Sequence, residues 1–117
     1  MNFIPAVISN SKKVRCKSVE FNCDTSNFKE NESVQLAIRP EDIRFKQENP
    51  DDNILSAKIK EIDFLGSYQR IYLESKSLTD DLIIVDVPSS NARKTKLNVN
   101  QEIDLYLSKE DIRVYPV

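Results

Sequence analysis

A short segment occurs twice in this chain, and it constrains the fold more than any other feature. Leu36–Phe45 reads L-A-I-R-P-E-D-I-R-F, and Leu105–Val114 reads L-Y-L-S-K-E-D-I-R-V. Both copies begin with alternating apolar residues, which are typical of a strand with one buried face, and both continue into E-D-I-R. Self-similarity of this kind indicates one structural device that the chain uses at two places.

The residue types in the repeated segment predict a corner. Pro40 fixes its own φ and favours extended geometry at Arg39, so the preceding strand changes direction there. Proline also suits the first position of a helical turn, and the free N–H groups of that turn favour the two acids that follow. In the second copy Ser108 can cap the turn with its hydroxyl. We therefore expect helical turns at Pro40–Asp42 and Lys109–Asp111, each followed by an isoleucine that anchors the core.

The rest of the chain reads as strands, because apolar residues alternate and no segment carries a helical apolar stripe. The longest run, Ile54–Leu65, changes parity near Lys60–Glu61, which predicts a β-bulge that returns Ile62 and Phe64 to the core. We interpret Ser89–Lys96 as a polar loop. The pattern favours an all-β barrel or sandwich whose only helix is the two corner turns. Further strands are expected at Phe3–Ser9, Val14–Lys17, Val19–Cys23, Ser33–Ile38, Ile43–Phe45, Gln69–Glu74, Leu82–Val87 and Glu102–Leu107.

Composition excludes several kinds of chemistry. The chain has no histidine, so no Ser–His or Cys–His nucleophile can form, and its one glycine, Gly66, cannot supply a phosphate-binding loop. A length of 117 residues suits one domain, and the net charge of −2 gives no general attraction to nucleic acid or acidic membranes. The absence of a signal peptide or long apolar run predicts a cytosolic protein. Cys16 and Cys23 are expected to be reduced, partly buried thiols.

Two further hypotheses come from charged residues. Glu48, Asp51 and Asp52 could supply oxygen ligands to a hard cation, although their spacing matches no known calcium loop. Basic residues on one predicted strand and in one predicted loop could bind single-stranded nucleic acid, but exposed aromatic residues are not interleaved with them. Solvated or edge-protecting lysines explain such a strand more simply. The basic residues are Lys12, Lys13, Arg15, Lys17, Arg93, Lys94 and Lys96.

A family likeness rests on several of these segments. L-A-I-R-P-E-D-I (Leu36–Ile43), followed by E-I-D-F-L-G-S-Y-Q-R-I-Y-L (Glu61–Leu73), resembles the transport-associated OB, or TOBE, domain. This is the C-terminal domain of ATP-binding subunits of bacterial ABC importers. Asn2–Ala6 is similar to the segment that enters this domain, and Leu97–Val114 to its closing strand and turn. Three residues stand where relatives often carry glycine: Ala6, Ala37 and Asn100.

The resemblance implies an OB-like small β-barrel of TOBE type with one or two short helical turns, forming a single non-catalytic domain over residues 1–117. It implies either an excised fragment of a longer ABC ATPase subunit or a stand-alone descendant, and Met1 directly before Asn2 favours the fragment. ATP and magnesium would then bind in the missing ATPase domain. We expect no catalytic, cofactor-binding or metal-binding residue in this chain.

The resemblance also implies a regulatory and dimerisation role in solute uptake, for sugars, polyamines, iron, phosphonates or sulfate. The implied partners are its own nucleotide-binding domain, a second copy of the subunit and, indirectly, the permease, with no nucleic acid and no direct membrane insertion. The implied location is the cytoplasmic face of the cell membrane. The alternative is a free-standing OB module that binds a small oxyanion or single-stranded nucleic acid. The candidate surface-contact residues are Arg39, Glu41, Asp42, Arg44 and Arg113.

Overall fold

The computed structural model describes all residues, 1–117, as ten strands, one short α-helix and two 3₁₀ turns. Strands form where apolar residues alternate, since this places one set of side chains on a buried face. We name the two 3₁₀ turns the first corner (Pro40–Asp42) and the second corner (Lys109–Asp111). The other elements are β1 (Asn2–Asn10), β2 (Lys13–Cys16), β3 (Val19–Asn22), β4 (Ser33–Ile38), β5 (Ile43–Arg44), β6 (Asn53–Phe64), β7 (Tyr68–Glu74), β8 (Ile83–Pro88), α1 (Ser89–Lys94), β9 (Glu102–Leu107) and β10 (Arg113–Pro116).

The strands form two five-stranded antiparallel sheets. The first sheet has the order β10-β4-β1-β2-β3, and the second has the order β5-β9-β6-β7-β8. At the first corner the chain leaves the first sheet and adds β5 to β9 of the second sheet. At the second corner it returns and adds β10 to β4 of the first sheet. The strand β5 follows a strand of the first sheet but pairs in the second, and β10 follows a strand of the second sheet but pairs in the first. These two exchanged strands connect the sheets.

The two sheets repeat the same arrangement of elements. Each strand of the first sheet has a counterpart in the second, so that β1 corresponds to β6, β4 to β9 and β10 to β5. The register shifts at the same place in both leading strands, between Ile8 and Asn10 in β1 and between Ile59 and Glu61 in β6. The likeness of the two corner segments is therefore one part of a repeat that extends over the whole chain.

One hydrophobic core joins the two sheets. Most of its 24 buried residues come from strands of both sheets, and the others, such as Ala92 in α1 and Ile112 after the second corner, come from the segments between them. Two buried asparagines close the structure where a sheet meets the edge strand of the other. The Asn2 amide bonds the backbone N–H and C=O of Ile84 at 2.7 and 2.8 Å. The Asn53 amide bonds the same two groups of Asn22 at 2.7 and 2.9 Å. We call these two contacts the amide clamps.

Most predictions from the sequence are confirmed. The fold is mostly β and OB-like, Ser33–Ile38 and Glu102–Leu107 have the expected bounds, and both corners form where they were predicted. The β-bulge lies in β6 as predicted, between Ile59 and Glu61. Asn100 has a φ of 72°, a left-handed conformation that suits glycine and that asparagine adopts more readily than most other residues.

Two predictions were wrong in part. Ser89–Lys94 is a helix and not a loop. Its one buried residue, Ala92, anchors it near β7 and β8, and so short a helix carries no apolar periodicity in the sequence. Phe64 does not return to the core after the bulge but is 76% exposed, whereas Ile62 packs partly against the core. The pairing of β6 with β9 ends at Lys58, so beyond the bulge β6 pairs only with β7 and extends past the rest of the sheet.

Candidate contact site at the paired corners

The two corners lie side by side because of how the sheets exchange strands. Ala37, just before the first corner, faces Arg113 across the β4–β10 pair. Ile43, just after the first corner, faces Leu107 across the β5–β9 pair. The strand before the first corner (β4) therefore pairs with the strand after the second (β10), and the strand after the first corner (β5) pairs with the strand before the second (β9). Residues about seventy positions apart in the chain meet on one surface.

Local hydrogen bonds define each corner. In the first, Arg39 is extended at φ −71° and ψ 138°, and the Asp42 N–H donates to its carbonyl at 3.0 Å. In the second, the Asp111 N–H donates to the Ser108 carbonyl at 3.0 Å. The Ser108 hydroxyl also accepts from the Glu110 N–H at 3.4 Å, as the sequence predicted. The isoleucine after each corner is buried, and the first corner packs against β8.

The corners bring four of the five candidate residues together. Arg39, Glu41 and Arg113 are exposed and form no ion pair, and Asp42 is partly buried between the corners. Burial raises the pKa of the Asp42 carboxyl, and the nearby Asp111 and Glu41 carboxylates raise it further, against the opposing effect of the two arginines. The result is an exposed surface of mixed charge that includes one partly buried acid whose ionised form is disfavoured.

Asp111 was not among the candidate residues, although the repeat contained the signal for it. It occupies in the second corner the place that Asp42 holds in the first. A repeat whose copies meet brings equivalent residues together, but only the exchanged strands show that these copies do meet. The candidate site therefore includes a fifth charged residue, contributed by the second corner.

Arg44 has a different environment from the other candidates. Its side chain is 20% exposed, and it pairs with the Glu48 carboxylate at 2.9 Å and with the Asp52 carboxylate at 3.1 Å. Arg113 holds the equivalent place after the second corner and has no such partner. We therefore assign Arg44 to the support of the 46–52 loop, and its role in surface contact stays a prediction.

Asp52 belongs to this support as well and not to an arranged ion site. Its carboxylate accepts from the N–H groups of Glu48 and Asn49 at 3.0 and 3.1 Å. Burial opposes its ionisation, but these two N–H groups and Arg44 together hold the pKa of Asp52 below its ordinary value. No group of three histidine, cysteine, aspartate or glutamate side chains is placed to hold a metal ion.

The two thiols are buried and unlinked, as predicted. Burial, with a smaller effect of the other thiol, raises the pKa of Cys16 to about 12. Burial, with a smaller effect of Asp24, raises the pKa of Cys23 to about 11. Both groups therefore stay protonated near neutral pH, and neither offers a reactive thiolate.

The remaining polar surfaces are of mixed charge. Lys17 on the β2–β3 turn pairs with Asp80, and Arg15 stands opposite Glu20 on β3. A groove of about 520 Å³ runs beside the second corner and contains Lys12 and Lys109. Lys109 pairs with Asp51 at 3.1 Å, and the acids Asp24 and Glu110 also line the groove. No helix in the structure has the length and apolar character that a membrane crossing requires.

Asp42→Asn is expected to have a free energy of unfolding at pH 7 that is equal to or higher than that of the unaltered protein. Any such increase should disappear at low pH. Because the pKa of Asp42 is raised on folding, the folded state holds this proton more tightly than the unfolded chain. The stability that this carboxyl contributes is therefore complete below pH 3.8, its ordinary value, and is lost as the pH rises through the raised value. Urea unfolding of both proteins at neutral pH and below pH 3.8 measures the difference.

Glu30→Gln supplies the control, because Glu30 is an exposed acid in the segment between β3 and β4. It should change stability little at either pH. A clear loss of stability in Asp42→Asn at pH 7 would show that the carboxylate is favoured in the corner, contrary to the expected direction.

The sequence comparisons agree on one group of proteins. Residues 36–114 match the family model of the TOBE domain. The chain is 22% identical over 97% of its length to the Fe(3+) ions import ATP-binding protein FbpC 2 of Rhizobium meliloti, and it covers 32% of that protein. It is 26% identical over 97% of its length to the spermidine/putrescine import ATP-binding protein PotA of Clostridioides difficile, and it covers 29% of that protein. The chain thus spans about a third or less of the length of these relatives.

The fold of the complete chain is similar to that of a solved structure. It is the cytoplasmic molybdate-binding protein ModG, determined with molybdate bound. The TM-score is 0.78, the match covers 99% of this chain and 96% of that chain, and the sequence identity is 9%. The likeness concerns the fold alone, and it includes both sheets.

Proposed function

We propose that this chain, which belongs to the TOBE domain family, is a non-catalytic regulatory and dimerisation domain of the ATP-binding subunit of an ABC importer. The observation that carries the proposal is the family match over residues 36–114. It is supported by relatives that are ATP-binding subunits of importers and match nearly the whole chain. Those relatives are much longer, so ATP and magnesium binding are assigned to a nucleotide-binding domain that lies outside residues 1–117.

The paired corners are the surface that we assign to contact with that nucleotide-binding domain. Arg39, Glu41 and Arg113 are exposed and have no ion partner in the chain, so they are free to meet charges on another protein. Such complementary charges fix the orientation of two surfaces more than they add affinity. The two corners are also tied to both sheets, which keeps this surface in one shape.

Regulation would follow from the arrangement of the two subunits. A domain tethered to each motor raises the effective concentration of the partner half without needing a large interface of its own. A ligand or protein that favours one arrangement shifts the resting population of the motor. The partners are then the attached nucleotide-binding domain, a second copy of the subunit and, indirectly, the permease. The location is the cytoplasmic face of the membrane, and the transported solute is not assigned.

A photo-crosslinking amino acid at position 41 tests the contact in the native cell. The expected adduct joins this chain to an ABC nucleotide-binding domain, identified by its Walker peptides in mass spectrometry. The same amino acid at position 30 is the control, because Glu30 is exposed in the segment between β3 and β4. A position-41 variant that folds normally but gives no such adduct would remove the corner contact. Failure of the chain to co-purify with any ATP-binding subunit would remove the importer role itself.

A small oxyanion is the second candidate, supported by the fold shared with a molybdate-binding protein. Lys12 and Lys109 beside the second corner are the cations available for it. Lys109 already pairs with Asp51, and acidic side chains share the groove, so we rank this candidate below the first. A thermal shift with molybdate or sulfate that is lost in Lys12→Gln would reverse that order, whereas unchanged melting would remove the oxyanion candidate.

A further inference from the structure

A cleft with a largely apolar lining lies at the junction of β1 and β8. Its volume is about 230 Å³, and six of its nine lining residues are apolar. Three of them, Met1, Phe3 and Leu82, are 52%, 53% and 48% exposed, although they are large and apolar. Asp81 also lines the cleft, is exposed and forms no ion pair. We call this the apolar cleft.

The fold does not require apolar residues at the mouth of this cleft, as the equivalent place in the other half of the chain shows. Leu82 stands two residues before the residue that one amide clamp binds, and Glu20 stands in the same relation to the other clamp. Met1 directly precedes one clamp asparagine, and Asp52 directly precedes the other. The same architecture therefore forms with acids at these two positions. Exposed apolar residues that folding does not need indicate a surface for interaction.

The two walls of the cleft are held in place. The Asn2 amide bonds the backbone N–H and C=O of Ile84 at 2.7 and 2.8 Å, and both residues line the cleft. The start of β1 is therefore fixed to the start of β8. A binding site with fixed walls loses little conformational freedom when a partner docks.

The apolar cleft is continuous with the paired corners. Phe3 lines the cleft and is also the cross-strand partner of Ala37, which is in turn the partner of Arg113. Directly opposed residues stand on the same face of a sheet, so Phe3 and Arg113 lie in one row across β1, β4 and β10. The first corner also packs against β8, which forms the other wall of the cleft. A protein that covers the paired corners therefore also lies over the cleft.

Together the two surfaces have the composition of one protein interface. Such an interface has an apolar centre and a polar rim. The paired corners supply the charged groups Arg39, Glu41 and Arg113, and the cleft supplies the apolar part that the corners lack. Asp81 favours a basic group beside whatever enters the cleft.

We propose that the apolar cleft takes an apolar side chain of the nucleotide-binding domain that contacts the paired corners. The inference rests on the proposed function, which names that domain as the partner of the corners, and it adds the place where the partner is anchored. An apolar side chain buried in such a pocket contributes more to binding than the charges around it.

A photo-crosslinking amino acid at position 82 in the native cell tests this contact. The expected adduct joins position 82 to an ABC nucleotide-binding domain, identified by its Walker peptides in mass spectrometry. Position 54 is the matched control, because Ile54 is exposed to a similar degree on β6 but lies outside the cleft and the corners. The yield of this adduct should be about tenfold higher at position 82 than at position 54, because only the cleft is covered by the partner.

Leu82→Asp tests whether the cleft anchors the contact at the corners. It places a charge in the apolar centre, so the yield of the position-41 adduct should fall by about tenfold. Ile54→Asp should leave that yield unchanged. Both residues are exposed, so both variants should fold, which circular dichroism and thermal melting check.

The outcomes separate this inference from the proposed function. If position 41 is crosslinked to a nucleotide-binding domain but position 82 is not, or if Leu82→Asp leaves the position-41 yield unchanged, the anchor in the cleft is overturned and the importer role stands. A position-82 adduct with a second copy of this chain, or with any other protein, would overturn it as well. Failure of the chain to co-purify with an ATP-binding subunit would remove both the importer role and the anchor.

Discussion

Asn53→Asp is expected to lower the free energy of unfolding by about 2–4 kcal/mol. The Asn53 side chain donates to the Asn22 carbonyl and accepts from the Asn22 N–H, and the residue is only 6% exposed. Aspartate keeps the shape but replaces the donor by an oxygen that faces the carbonyl. The Asn22 N–H can still donate to the carboxylate, but a buried charge and an unsatisfied Asn22 carbonyl replace the hydrogen bond that the amide donated. Urea unfolding at neutral pH, with the midpoint and slope both fitted, measures the loss.

Asn2→Asp provides an internal repeat of the experiment. Asn2 makes the same pair of bonds to Ile84, and it is also 6% exposed. The two variants should therefore lose similar amounts of stability. Asn27→Asp is the control, because Asn27 is exposed in the segment between β3 and β4. If Asn53→Asp were as stable as Asn27→Asp, the amide clamps would not hold the two sheets together.

Ile112→Ala and Ile43→Ala are each expected to lower the free energy of unfolding by about 2–4 kcal/mol. These residues are 5% and 3% exposed, and each is the first buried side chain after a corner. Removing either one leaves a cavity where the chain crosses from one sheet to the other, and the crossing strands limit how far the site can collapse. Thermal and urea unfolding of the two variants should give similar losses, because the positions are equivalent.

Ile54→Ala is the matched control for the corner anchors. Ile54 is the same residue type on a neighbouring strand but is 52% exposed, so its truncation should change stability by less than about 1 kcal/mol. A loss for the anchors no larger than that of Ile54→Ala would contradict their role. A loss for Ile43→Ala alone would mean that the two corners are not equivalent in energy, although they are equivalent in structure.

The sequence predicted both corners correctly but wrongly predicted that Phe64 would be buried, and this difference has a physical reason. Pro40 and the Ser108 hydroxyl act on neighbouring backbone groups, so the local sequence was sufficient to predict both corners. Phe64 has the parity of a core residue, but its burial depends on whether another layer covers that end of β6. Only the lengths of the distant strands decide this. Helix α1 was missed for the opposite reason, because its single buried alanine leaves no periodic signal.

The candidate site was likewise predictable from the sequence only in part. Arg39, Glu41, Asp42 and Arg113 could be selected from the repeated segment, but nothing in the sequence placed the two copies next to each other. Arg44 was selected with them because it stands beside the first corner. Its partners, Glu48 and Asp52, come from the loop that precedes β6, and they give it an environment that Arg113 lacks.

The sequence by itself determined the all-β pattern, the two corners, the bulge in β6 and the likeness to the TOBE family, because each depends on residues close together in the chain. Only the tertiary structure decided that the corners exchange strands between two equivalent sheets. It likewise decided that Asn2 and Asn53 clamp those sheets. Contacts of these kinds join residues far apart in the chain, and local propensities carry no information about which distant residues will meet.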